Sequence, residues 1–178
     1  MKRNMKKSIR IPMIFVLLMV MIFSIAGCEQ KKEDSKYLKD LVNNLFTDLS
    51  ESEYQEFHDA KEDQMDLLAD SKEIPQWMNV RFKENMTDEG YNIFVETATY
   101  NLPVLGYENK KELKLEDLKV EASVETYDFT GRLIVSSKED EAKKAEIFVQ
   151  GSAQLNEEGL VQSINIFNMG EIADEISK

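Results

Sequence analysis

Apolar and polar positions follow one period in the first half of the chain and another in the second. Leu38, Leu41, Val42, Leu45, Phe46 and Leu49 recur at the spacing of one helical face, with Lys39, Asp40, Asn43, Asn44 and Asp48 opposite. Ser50-Glu51-Ser52-Glu53 has the form of a capping box and predicts that a second helix restarts after a corner. Its stripe, Tyr54, Phe57, Lys61, Met65 and Leu68, is weaker and more polar. Pro75 suits the first turn of a third helix carrying Trp77, Met78 and Phe82. Thr87-Asp88-Glu89 opens a fourth, with Tyr91, Phe94, Val95 and Ala98 on one face and Pro103 as its stop, although Ile93 to Tyr100 also reads as strand.

Beyond residue 117 the period falls to two. Leu118, Val120, Ala122 and Val124 alternate with Lys119, Glu121, Ser123 and Glu125. Phe129, Gly131, Leu133 and Val135 form a second run, and Ala145, Ile147, Val149, Gly151, Ala153 and Leu155 a third. Asn156-Glu157-Glu158-Gly159 is a hairpin connection into Leu160, Gln162, Ile164 and Ile166. Asn168 to Lys178 reads as a polar tail or a frayed helix. Alternation this regular gives each strand one buried and one wet face, which is the mark of an antiparallel sheet.

Helices followed by a meander of about four strands predict an α+β domain with its helices on one sheet face. The helices from Leu38 to Leu68, the segment Trp77 to Leu102 and the strands Leu118 to Val135 and Ala145 to Phe167 together resemble the NTF2-like (cystatin-like) fold. That resemblance implies a curved sheet wrapping a helical layer into a cone over residues 36–178. It also implies that two copies could pair through the open sheet face. More narrowly, the chain resembles small extracytoplasmic lipoproteins of Gram-positive bacteria and their mobile elements.

The first 27 residues have a different character. Lys2, Arg3, Lys6, Lys7 and Arg10 precede an apolar run from Ile11 to Phe23 that is broken once, by Pro12. A basic segment, an apolar segment and small residues before a cut site make a secretory signal. Ile25-Ala26-Gly27-Cys28 resembles the lipobox of bacterial lipoproteins. The resemblance implies a diacylglycerol on the Cys28 sulfur, cleavage before it, and a lipid anchor on the extracytoplasmic face of the cell membrane. A transmembrane span is the weaker reading, since the thirteen residues of the run reach about 20 Å as helix against a hydrocarbon core of about 30 Å. Residues 28–35 then read as the lipidated cysteine and a polar tether, and the rest as one domain.

Removing residues 1–27 sharpens the charge. They hold five of the 22 basic residues and none of the 34 acidic ones, so the remainder has 17 basic against 34 acidic groups, a net −17. A chain this acidic is repelled by phosphate backbones, which excludes nucleic acid as an expected partner. Cys28 is the only cysteine, so no disulfide is available and the fold rests on its core.

Candidate chemistry is sparse. His58 is the only histidine, and an acid–base role would rest on it with Asp59 or Asp63. Read structurally, it is a helix histidine partly in solvent. Glu51, Glu53, Glu56, Asp59, Glu62, Asp63 and Asp66 cluster along the second helix without a calcium-loop pattern or zinc-type ligands, so a solvated face is the expectation and no metal or cofactor is assigned. Trp77, Phe82, Tyr91, Phe94 and Tyr127 are the candidate lining of a cavity in the cone, with plain core packing as the alternative.

Three functions are compatible with these residues. The leading expectation is a non-catalytic interaction module that holds an envelope protein at the membrane. A small-molecule-binding lipoprotein using the cone as a pocket is the second, and a cyclase- or isomerase-type enzyme of the same fold the third.

Overall fold

The computed structural model describes residues 35–62, 74–140 and 142–178. Residues 1–34, on which the expected signal segment, Cys28 and the expected tether fall, lie outside the described residues, as do Asp63, Met65, Asp66 and Leu68. No helix among the described residues is long and apolar enough to cross a membrane.

The chain opens with helices α1 (Lys36–Leu45), α2 (Glu51–Glu62) and α3 (Gln76–Arg81), a single 3-10 turn (Lys83–Asn85), and helices α4 (Asp88–Glu96) and α5 (Asn101–Glu108). Strands β1 (Lys111–Ala122), β2 (Tyr127–Ser137), β3 (Lys144–Leu155) and β4 (Val161–Ile166) follow, and helix α6 (Met169–Ile176) ends the chain. The strands form one antiparallel meander in the order β1-β2-β3-β4, a curved open sheet with the helices packed against it. This is an α+β architecture.

Local chemistry explains the boundaries. The Ser50 backbone N–H donates to Glu53 Oε2 at 2.8 Å, and the Glu53 N–H donates back to Ser50 Oγ at 3.3 Å, closing the capping box at the head of α2. Thr87 caps α4 by accepting from the Gly90 N–H at 3.1 Å. Asn156 Oδ1 accepts from the N–H groups of Glu158 and Leu160, and Gly159 takes a φ of 82°, completing the β3–β4 hairpin.

Inward residues alternate as the pattern requires. Leu113, Phe129, Leu133, Val135, Ile147, Val149, Ala153 and Ile166 are buried beneath the helices. Phe129 and Gly151 are cross-strand partners, and the ring lies so close over the glycine that a Cβ there would sit 2.3 Å from Phe129 Cζ. The missing side chain is what admits the ring.

Four expectations need correction. First, α4 ends at Glu96, and Ala98, at φ 54° and exposed, turns the chain instead of packing on its face. Second, Pro103 does not stop a helix. It is the third residue of α5, inside the first turn, where a missing N–H leaves no intrahelical bond unmade. Third, β1 starts at Lys111, and Val124 is 98% exposed in the β1–β2 turn. Fourth, the C-terminal segment is a docked helix: Ile172 and Ile176 are fully buried, and α6 rests on α5 and β3. Burying two such side chains contributes about 2 kcal/mol each.

Both sheet edges are managed. Met86 bridges to Val161 and the Thr87 N–H donates to the Val161 carbonyl at 3.0 Å, which covers part of β4. The β1 edge carries Lys111, Lys114 and Lys119 and a register shift at Glu116/Lys119, where Asp117 adopts φ 55°. Charge and a bulge are the usual defences of an open edge.

Candidate functional site

The aromatic residues come together under the helices. Phe82 stands 6.0 Å from Trp77 and 5.0 Å from Phe94, ring centre to ring centre, and Phe94 lies 6.5 Å from Tyr91. Phe57 and Tyr100 join the group. Trp77, Phe82, Tyr91 and Phe94 are each at most 5% exposed, so these rings pack on one another within the core. Tyr127 is half-buried at the first position of β2, in register with Ala122 and Ala153. Two polar atoms enter this layer without a hydrogen-bonding partner among the described residues, Trp77 Nε1 and the Tyr91 hydroxyl. Burial pushes the Tyr91 phenol up to about 12 and raises that of Tyr100.

His58 lies on the exposed side of α2, its ring 6.1 Å from that of Tyr54, and Asp59 is exposed beside it. Neither faces the aromatic core. Among the described residues no group of three or more histidine, cysteine, aspartate or glutamate side chains is placed to hold a metal ion.

The polar centre of the helical layer is Arg81. Its Nε and Nη2 donate to the Glu53 carboxylate at 2.8–3.0 Å, and Nη1 and Nη2 donate to the carbonyls of Thr47 and Asp48. The guanidinium also lies 5.6 Å from the centre of the Trp77 ring. Burial pushes the Glu53 carboxyl up, but the Ser50 N–H and hydroxyl together with Arg81 hold it below the ordinary carboxylate range.

Beside this hub is a cleft of about 330 Å3 lined by Lys36, Tyr37, Asp40, Asn43, Asn44, Val80, Glu84 and Asn85. The Asn44 and Asn85 amide nitrogens both donate to the Arg81 carbonyl, at 2.6 and 3.0 Å. A second cleft, of about 300 Å3, lies where α1 ends against the start of β1, with Asp48, Glu112 and Lys114 on its walls. None of the five aromatic residues singled out from the sequence lines either one.

The outer sheet face has its own pattern. Arg132 donates to Glu116 at 2.8 Å and reaches Asp117 at 3.1 Å and Glu146 at 3.4 Å. Phe148, its cross-strand partner on β3, is 59% exposed, and Phe167, beyond β4 and bonded to the Gln150 carbonyl, is 57% exposed. By strand alternation both rings stand on this face. Phe148 stands between Ile147 and Val149 and Phe167 follows Ile166, so each sits in an apolar run, and the sequence carries no sign of which neighbours cover it on the outer face.

Comparison with protein-family models, curated proteins and solved structures finds no match to this chain.

Proposed function

We propose that this protein is a lipid-anchored module on the extracytoplasmic face of the cell membrane, which holds a protein partner at the envelope without catalysing a reaction. The observation that carries the reading is the junction between anchor and domain. Ser35 is already 4% exposed and Leu38 fully buried, so the chain is packed into the domain no more than seven residues after the Cys28 of the lipobox. Even fully extended, that stretch reaches only about 25 Å. A domain held so close to a bilayer is suited to capturing partners that share the membrane.

The packing of Trp77, Phe82, Tyr91 and Phe94 against one another weighs against a small-molecule pocket, and the exposure of His58 weighs against acid–base chemistry. In-cell cross-linking tests the interaction directly. A specific envelope protein recovered in wild-type cells supports it, and recovery of none refutes it.

A second reading, pairing of two copies through the sheet, is favoured by one observation, the exposure of Phe148 and Phe167 on the outer face. Sedimentation of the wild type against Phe148→Glu decides it: a dimer that the variant abolishes supports pairing, and a wild-type monomer ends it.

A further inference from the structure

We propose that the cleft between α1 and the segment from α3 to the 3-10 turn receives a basic side chain, an arginine before a lysine, from a partner protein. This rests on the interaction reading above and names the surface that carries it. Asn44 and Asn85 each commit one amide N–H to the Arg81 carbonyl, which fixes both amides and leaves each side-chain oxygen as an acceptor beside one remaining N–H. No donor among the described residues reaches either oxygen. Asn85 is 7% exposed, so its amide is held by packing as well as by the hydrogen bond.

The walls extend the same preference. Glu84 is exposed and meets no cation among the described residues. Among the described residues Asp40 is paired only with Lys36, one turn away at 2.7 Å, and both side chains are exposed. Such a pair is weakly held and open to exchange. Lys36 also lies 5.4 Å from the centre of the Tyr37 ring. The chain's own ammonium thus shows the kind of group this rim accepts, a cation on a carboxylate beside an aromatic face.

Val80, 58% exposed, supplies an apolar surface against which the methylene stem of a long basic side chain would lie. Arginine is favoured because its fork of five donors can serve a carboxylate and an amide oxygen together. An anion would meet the carboxylates of Asp40 and Glu84. The net −17 beyond residue 27 favours the approach of a basic partner.

Nuclear magnetic resonance on the full chain in detergent provides the test, following the side-chain amide signals of Asn44 and Asn85. The probes are a capped Gly-Arg-Gly peptide and, as its opposite, capped Gly-Glu-Gly. We expect saturable shifts of both amides with the arginine peptide alone, about fivefold weaker binding in Asp40→Asn/Glu84→Gln and tighter binding in Lys36→Ala. No saturable shift at millimolar peptide, or equal shifts with both peptides, overturns the proposal. In cells, a photo-cross-linking residue at Val80 is compared with one at Phe148. A protein captured at Val80 and lost on Glu84→Lys supports the cleft. Capture at Phe148 alone overturns the cleft and leaves the interaction reading intact, whereas capture at neither overturns both.

Discussion

Arg81 grips Glu53 in a two-pronged ion pair, Nε to Oε1 at 3.0 Å and Nη2 to Oε2 at 2.9 Å, and so ties the last residue of α3 to the capping box of α2. The Arg81 side chain is 15% exposed and that of Glu53 24%. Removing one partner from a pair this sheltered strands the other, which costs about 3 kcal/mol. Arg81→Ala is therefore expected to lower the free energy of unfolding in urea by about that amount.

The same pair sets an acid dependence. The folded-state pKa of Glu53 lies below its unfolded value, so its contribution is present at neutral pH and is lost as the pH falls through the ordinary carboxylate range toward the folded value. In Glu53→Gln the stability at neutral pH is expected to fall, and the acid limb of the stability profile to become shallower. Urea titrations between neutral and acid pH check both effects; an unchanged acid limb would assign that dependence to other carboxylates.

Tyr91 presents the opposite case, a buried hydroxyl with no partner among the described residues. Its folded-state pKa, about 12, lies above the ordinary phenol value, so it favours the fold below that ordinary value and ceases to do so as the pH rises through the folded one. Tyr91→Phe removes an unsatisfied polar atom while keeping the ring against Phe94. Thermal melts should show this variant as stable as wild type or up to about 1 kcal/mol more so. Ultraviolet titration should show one late-ionising tyrosine lost. A large destabilisation would mean that the hydroxyl is bonded after all.

Gly151 is required by the ring of Phe129. A Cβ at that position would come within 2.3 Å of both Phe129 Cζ and the Asn165 carbonyl, one a core ring and the other backbone, and neither can give way cheaply. Gly151→Ala is expected to cost about 3 kcal/mol in unfolding free energy. Shortening the ring as well, in Gly151→Ala/Phe129→Leu, should recover part of that loss if the clash with the ring is its main cause.

The period of the sequence carried the sheet, because one-sided burial writes itself as alternation. Leu133 and Val135, Ile147 and Val149, and Ile166 lie where a period of two puts core residues, whereas Val161, five residues before Ile166, is buried out of the phase that Leu160, Ile164 and Ile166 set. The misses have physical reasons. At the start of β1 only Leu113 and Leu115 face inward amid five charged residues, so the stretch reads as loop. Pro103 carries opposite meanings in the first turn of a helix and in its interior, and only the fold shows which applies. In α6 the signal is two isoleucines, Ile172 and Ile176, whose burial comes from α5 and β3. The aromatic group was visible as composition, but its packing was not. The cleft was invisible, since Asp40, Asn44, Val80, Glu84 and Asn85 are brought together by the docking of α1 on residues some forty positions away.

Whether the domain works tethered to a membrane by Cys28 is decided by fractionation of cells expressing wild type and Cys28→Ser. Wild type should partition with membranes, incorporate labelled fatty acid and run as the chain shortened to Cys28. Cys28→Ser should lose the label and its membrane association while the folded domain keeps its stability. A Cys28→Ser protein that stays in the membrane fraction as tightly as wild type would contradict the anchor, and with it the function built upon it.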